Sequence, residues 1–175
     1  RRQRQMCIRD SNKSVAEEKN FFLFIAHSMP HVPLFRSENF ANKSTKGIYG
    51  DVIEEIDWSV GQILKTIQSL GIIETTYIIF TSDNGPWLTY GSHAGSSYPL
   101  KHGKGTSFEG GMRVPTIISG PDIYNGVISE LGVQTDLFNT ILGLAKLEPR
   151  LHLKNSFNLA SVMRHKNKSP RDFVP

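Results

Sequence analysis

Three short apolar runs and two longer amphipathic stretches stand out along this 175-residue chain. The apolar runs lie at residues 21–26, 76–82 and 114–119. Each is apolar over most of its length and is followed by a polar or proline- and glycine-containing segment. This pattern is typical of strands that are buried on both faces of a sheet.

The two amphipathic stretches predict helices. Between Asp51 and Leu70, apolar residues recur every three or four positions, with Asp51 near the expected N-cap and Gly71 closing the helix. Residues 132–147 have a second stripe of this kind, whereas the polar residues 12–20 predict a loop. Strands that alternate with helices predict an α/β fold with a mostly parallel central sheet.

The two ends of the chain are interpreted separately. Residues 1–11 match an in-frame translation of a sequencing adapter and are therefore left out of the fold prediction. The alternative is a natural basic tail, which would indicate binding to nucleic acid or a membrane surface. Residues 12–150 are predicted to form the domain, and residues 151–175 are interpreted as an unassigned tail or the start of a C-terminal subdomain.

Charge and cysteine content change the picture once the adapter interpretation is applied. Without residues 1–10 the formal net charge falls from +4 to +1, so the basic composition no longer indicates a nucleic-acid partner. Cys7, the only cysteine, is removed as well, so the remaining sequence supports no disulfide argument in either direction. We expect no membrane span, because no run approaches about 20 consecutive apolar residues.

Polar side chains follow the first two apolar runs, and ligands in open α/β sheets bind beyond the carboxyl ends of strands. His27 and His31 come after the first run, and Asp83 and Asn84 come after the second. Asp and Asn oxygens are hard ligands suited to Ca²⁺ or Mg²⁺, although Asp-Asn-Gly-Pro is also an ordinary turn sequence. Calcium binds about 6–8 oxygens, so other ligands are needed.

Lys104 lies in a glycine-rich loop, where small neighbours permit close approach of a ligand. It is either an anion-binding residue or a solvated cation. His31 is either an exposed loop histidine or a group that donates a hydrogen bond or a proton to an anionic oxygen. The loop is not a nucleotide-binding P-loop, because Gly105 follows Lys104 and Tyr98 occupies the required upstream glycine position.

Four segments carry a resemblance to a known family. HSMPHVPLF, KGIYGDVIEEIDWSVGQIL, TYIIFTSDNGP and GKGTSFEGGMRVP, in that order, are similar to the second half of the sulfatase catalytic domain over about residues 21–147. The arylsulfatase A-like and steryl-sulfatase-like branches resemble the chain most. The resemblance implies an alkaline-phosphatase-like α/β sandwich, of which this chain is expected to be a partial domain.

The resemblance also implies site roles. In the family, the residue matched by His31 contacts the sulfate group, the residue matched by Lys104 binds sulfate and assists the leaving oxygen, and those matched by Asp83 and Asn84 bind a metal, usually Ca²⁺. The family's nucleophile is a formylglycine made in a Cys-x-Pro-Ser-Arg motif. That motif does not occur here, so we expect it upstream and expect this chain alone to be inactive.

The implied function is hydrolysis of a sulfate ester of a small molecule or glycan. Two alternatives are a zinc-dependent phosphatase or phosphodiesterase of the same superfold, and a non-catalytic pseudo-sulfatase that only binds. Three Asn-Lys-Ser sequons, at Asn12, Asn42 and Asn167, fit a glycoprotein of the secretory pathway, lysosomal or extracellular. The oligomeric state is not predicted.

The carboxylates of the first predicted helix are interpreted as a solvated face plus a cap: Asp51, Glu54, Glu55 and Asp57.

Overall fold

The computed structural model describes residues 2–151 and 153–174, which are divided between two compact units. The first unit comprises the residues up to Thr76 together with Asn84–Pro115, and the second comprises Tyr77–Asp83 and the residues from Thr116 onward. In the part of the chain described, no helix combines the length and the apolar composition that crossing a membrane requires.

The first unit is built around one long helix. Helix α2 (Gly47–Ser69) starts four residues before the predicted start and buries Val52 and Ile67 on its apolar stripe. The chain then turns at Gly71, which has a positive φ, as the sequence predicted for the helix end. The other elements of this unit are helix α1 (Arg2–Ala16), the short helix α3 (Glu109–Met112) and 3₁₀ turns at Glu38–Phe40, Ile73–Thr75 and Leu88–His93.

Two predictions for the start of this unit are wrong. The loop expected at residues 12–20 is helical as far as Ala16, because α1 continues from the preceding residues. No strand forms at residues 21–26. The exposure of this run alternates, with Phe22 and Phe24 exposed and their neighbours half-buried, but none of the described strands pairs with it. An apolar run without a paired backbone is not a strand, whatever its composition.

The second unit contains the only strands among the described residues. Strands β1 (Ile78–Thr81) and β2 (Thr116–Ser119) lie within the second and third apolar runs. They pair antiparallel, with Ile78 opposite Ser119 and Thr81 opposite Thr116. Parallel pairing is therefore wrong for these two strands, as happens where a mostly parallel α/β sheet carries an antiparallel strand.

The core of the second unit depends on the segment that the sequence left unassigned. Helix α4 (Asp136–Leu144) lies within the second predicted helix, and α5 (Ala160–His165) follows it. Leu159, Val162 and Met163, in and beside α5, are buried and pack against half-buried isoleucines of this unit, namely Ile118, Ile123 and Ile128. Residues after 150 thus supply the buried members of the cluster, which packs against Ile118 of β2.

A buried ion pair also ties this segment to α4. The guanidinium of Arg171 donates from Nη2 to Asp136 Oδ1 over 2.6 Å and from Nε to Asp136 Oδ2 over 2.8 Å. Both side chains are almost completely buried. Burial opposes ionisation of Asp136, but hydrogen bonds from Arg171 and from the Phe157 and Val133 amides outweigh it and lower the pKa of Asp136.

Candidate functional site

His31 and Lys104 are 73 residues apart in sequence and come together in the first unit. Lys104 Nζ lies 3.3 Å from His31 Nε2. His31 is exposed and Lys104 is half-buried, so the contact is reached from solvent. The two residues that the sequence proposed for anion binding therefore form one cluster, which we call the cation pair.

The contacts of the imidazole assign its tautomer. His31 Nδ1 lies 2.7 Å from the carbonyl oxygen of Val32, so Nδ1 carries a proton and donates it to that oxygen. Nε2 then accepts a hydrogen bond from the Lys104 ammonium. The imidazole and the ammonium therefore lie side by side, where both can contact one bound anion.

Close backbone approach positions Lys104. Its N–H donates to the carbonyl oxygen of Pro86 over 2.9 Å, and the Gly85 N–H donates to Gly111 O over 3.0 Å. A Cβ at Gly85 would overlap the carbonyl oxygen of Gly110, and a Cβ at Gly103 would overlap that of Pro86. The glycines on both sides of this contact are therefore required for the loop to lie against the DNGP segment.

Helix α2 anchors the segment that follows His31. Arg36 Nε donates to Asp51 Oδ2 over 3.0 Å, and the Ser37 N–H donates to Glu55 Oε2 over 2.8 Å. Asp51 also accepts hydrogen bonds from the backbone amides of the loop before α2, those of Asn42, Lys43 and Ser44.

Two of the four helix carboxylates are thus misread by the sequence analysis. Asp51 is buried and lies inside α2, so it is neither a cap of that helix nor part of a solvated face. The hydrogen bond from Ser44, with those from Asn42, Arg36 and Lys43, lowers its pKa although burial opposes this. Glu55 is half-buried, while Glu54 and Asp57 are exposed as predicted.

Aromatic rings lie beside the cation pair. Lys104 Nζ is 5.3 Å from the centre of the Trp87 ring, which is within the range of a cation–π interaction. The ring centres of His31 and Trp87 are 6.2 Å apart with an interplanar angle of 60°, and those of Trp87 and Tyr90 are 4.8 Å apart at 70°. The sequence analysis did not single out Tyr90, because a lone tyrosine in a loop belongs to no recognisable motif.

Asp83 and Asn84 follow β1 directly and form the end of the strand and the start of the turn. Asp83 is exposed and Asn84 is half-buried; the two belong to different units. Asn84 Nδ2 donates to Gly85 O over 2.9 Å, which orients the amide so that Oδ1 lies on its opposite side. A carboxylate and an amide oxygen fit a hard divalent cation, but supply only part of its coordination shell. The described residues contain no group of three or more His, Cys, Asp or Glu side chains that could hold a metal.

Three other charged residues near the glycine-rich loop contact residues close to them in sequence. Lys101, three residues before Lys104, lies over the ring of Phe108 at 4.1 Å. Glu109 and Arg113 form a local ion pair at 3.2 Å, with both side chains exposed. A cavity of about 600 Å³ is lined by residues between Ser37 and Trp58 and includes neither member of the cation pair.

Comparison with known proteins identifies the family. The sulfatase family model matches residues 9–147. The chain is 46% identical over 137 residues to N-acetylgalactosamine-6-sulfatase of Mus musculus, covering 77% of this chain and 26% of the relative. It is 39% identical over 157 residues to human arylsulfatase A, covering 89% of this chain and 31% of the relative.

A solved structure gives the same assignment. The PsFucS1 sulfatase from Pseudoalteromonas sp. superimposes with a TM-score of 0.91 at 28% identity, covering 98% of this chain and 35% of that one. The fold is alkaline-phosphatase-like, as the motifs implied, and this chain corresponds to part of the domain. The chain spans about a quarter to a third of the curated relatives named here. On sequence and on fold, it belongs to the sulfatase family.

Proposed function

We propose that His31 and Lys104 bind the sulfate group of a sulfate ester in a sulfuric-ester hydrolase. The observation that carries the proposal is the 3.3 Å contact between Lys104 Nζ and His31 Nε2. The contact holds an ammonium and an imidazole side by side where solvent reaches them. An anion that binds there can contact both groups together.

The cation pair suits the charge changes of ester cleavage. A sulfate ester carries one negative charge, and cleavage of its S–O bond moves charge onto the departing alcohol oxygen. An ammonium fixed beside that oxygen gains interaction as the bond breaks, so Lys104 lowers the barrier more than it strengthens ground-state binding. His31 is proposed as the second group that contacts the sulfate or the leaving oxygen.

Asp83 and Asn84 are proposed as two of the oxygen ligands of a divalent cation, Ca²⁺ or Mg²⁺. A carboxylate and an amide oxygen are ligands of the hard type that these ions select. The bound ion would neutralise part of the sulfate charge. The proposal requires further oxygen ligands and a formylglycine nucleophile in addition to these two residues.

The substrate is proposed to be a small-molecule or glycan sulfate ester, since one relative is named for a sulfated amino sugar and another for aryl sulfates. A secretory-pathway location, lysosomal or extracellular, is supported by the three sequons. Of these, Asn42 lies in an exposed turn before α2.

Steady-state kinetics test the proposal in a protein that joins this sequence to a Cys-x-Pro-Ser-Arg segment. We expect Lys104→Ala and His31→Ala each to lower kcat for an aryl sulfate by about 10²–10³, the effect of removing one well-placed stabilising donor. Lys101→Ala is the matched control and should change kcat little, because Lys101 contacts the ring of Phe108 instead. The 175-residue chain alone should give no turnover.

Two results would contradict the proposal. If Lys101→Ala were as damaging as Lys104→Ala, the assignment within the glycine-rich loop would be wrong. If sulfate esters bound without turnover even when the nucleophile segment is joined, the pseudo-sulfatase alternative would be correct.

A further inference from the structure

We infer that Trp87, supported by Tyr90, forms a platform that selects sulfate esters of ring alcohols over those of open-chain alcohols. The inference rests on the proposed function, since it assumes that the cation pair holds the sulfate group. The inference concerns the alcohol group of the ester, which lies on the other side of the ester oxygen from the sulfate. This group is proposed to bind to residues of the first unit.

The position of Trp87 is what makes it a contact for the alcohol and not for the sulfate. Its ring centre is 5.3 Å from Lys104 Nζ and 6.2 Å from the His31 ring centre. A sulfate oxygen that accepts a hydrogen bond from Lys104 lies about 3 Å from Nζ, so the ester oxygen and the first atoms bonded to it come within reach of the indole.

Trp87 is also held in place and open to solvent. Tyr90 packs edge-on against it at 4.8 Å, and the Tyr90 N–H donates to the Trp87 carbonyl oxygen over 3.1 Å. Trp87 nevertheless exposes 40% of its surface and Tyr90 exposes 46%. A rigid aromatic pair that is partly exposed beside two cation-capable groups fits a ligand with an anionic end and a flat apolar end.

The chemistry of the indole favours rings. Its face packs against another ring, or against the flat C–H face of a sugar, with little loss of rotational freedom in the ligand. An open-chain alkyl group presents no flat face and loses torsional entropy when it is ordered. Trp87 should therefore add affinity for aryl or cyclic esters and little for linear ones.

If Trp87 acts only on Lys104, a different binding result is expected. If Trp87 only covered the ammonium by cation–π contact, its removal would weaken every sulfate compound equally. A platform for the alcohol leaves inorganic sulfate binding intact and removes only the preference for rings. The two roles are therefore separated by comparing ligands, without any need for turnover.

The test is ligand binding to the 175-residue chain, measured by calorimetry or ligand-observed NMR with four probes. These are inorganic sulfate, phenyl sulfate, cyclohexyl sulfate and hexyl sulfate. The variants are Trp87→Ala and Trp87→Tyr, with Trp58→Ala as the matched control. Trp58 is a tryptophan of the same unit that exposes 38% of its surface and packs on Phe40. Circular dichroism verifies that each variant is folded.

We expect phenyl sulfate to bind about 2- to 10-fold more tightly than hexyl sulfate. Trp87→Ala should abolish this ratio without changing inorganic sulfate binding, whereas Trp87→Tyr and Trp58→Ala should keep it. If Trp87→Ala fails to fold, Trp87→Leu replaces it, because leucine keeps apolar volume without a flat ring and should abolish the ratio in the same way. Cyclohexyl sulfate shows which kind of ring the platform prefers. Binding equal to that of phenyl sulfate indicates that a saturated, sugar-like C–H face is accepted. Weaker binding indicates a preference for an aryl group.

Equal binding of phenyl and hexyl sulfate would overturn the inference, as would an equal loss for all four probes in Trp87→Ala. In either case binding of inorganic sulfate would leave the proposed function standing. If inorganic sulfate itself did not bind, the proposed function would fail, and the platform with it.

Discussion

Replacing Arg171 by methionine should destabilise the second unit strongly. The guanidinium donates two hydrogen bonds to Asp136, one to Asn155 O over 2.8 Å and one to Phe173 O over 3.3 Å. It also lies 4.8 Å from the centre of the Phe157 ring. Methionine fills similar space but replaces none of these donors, so a buried carboxylate would lose its counter-charge.

The size of the effect follows from what Asp136 retains. Removing one partner of a buried ion pair typically costs 3–5 kcal/mol, because the other charge stays buried without compensation. Asp136 still accepts hydrogen bonds from the Val133 and Phe157 amides, over 2.9 and 2.8 Å. We therefore expect the lower part of this range, about 3–4 kcal/mol.

Native-state hydrogen exchange measures this loss in the second unit. Tryptophan fluorescence would not, because Trp58 and Trp87 both lie in the first unit. Amides of β1 and β2 that open with the whole unit should exchange roughly 100-fold faster or more in Arg171→Met.

An exposed cation of the same unit provides the control for Arg171→Met. Lys154 is exposed and lies in the second unit, so Lys154→Met should change exchange of the β1 and β2 amides little. If Arg171→Met had no larger effect than Lys154→Met, the segment after residue 150 would not be an integral part of the second unit.

Further predictions concern the loop anchor and the metal ligands. Asp51→Asn removes the charge that holds the loop before α2, so amides of that loop should exchange faster while those of β1 are unchanged; unchanged loop exchange would contradict the anchor. Because the pKa values of Asp51 and Asp136 are lowered in the folded chain, the unfolded chain takes up protons first as pH falls. Their contribution to stability is therefore complete above the unfolded value of about 3.9 and is lost below it, which urea unfolding at several pH values would reveal. In a protein with a complete metal shell, Asp83→Ala should weaken Ca²⁺ binding more than Asn84→Ala, because only Asp83 brings a full charge; equal calorimetric affinity for Asp83→Ala and the unaltered protein would contradict the assignment.

Helices and strands were predictable from the sequence where the local spacing of apolar residues is sufficient to define them. The apolar stripe of α2 and the runs that contain β1 and β2 need only the spacing of hydrophobic residues. The run at residues 21–26 is as apolar as β1, yet it forms no strand, because strand formation depends on a partner backbone that local sequence does not specify. The antiparallel register of β1 and β2 was missed for the same reason.

The sequence nominated the members of the candidate site but not their contacts. Motifs shared with the sulfatases nominated His31 and Lys104, but a 3.3 Å contact between residues 73 positions apart follows only from the fold. Asp51 and Arg171 were missed because a charged residue in a helix or a tail is usually solvated. Only their partners, which lie far away in sequence, make them buried.

The central claim is that His31 and Lys104 together bind sulfate, and the NMR signal of the His31 ring tests it most directly. His31→Gln assigns the signal in the 175-residue chain, and His27 serves as an internal reference. On titration with inorganic sulfate, the His31 signal should shift saturably, the His27 signal should not, and the saturable shift should disappear in Lys104→Ala but persist in Lys101→Ala. A His31 signal that did not respond to sulfate, or that responded identically in Lys104→Ala, would contradict the account.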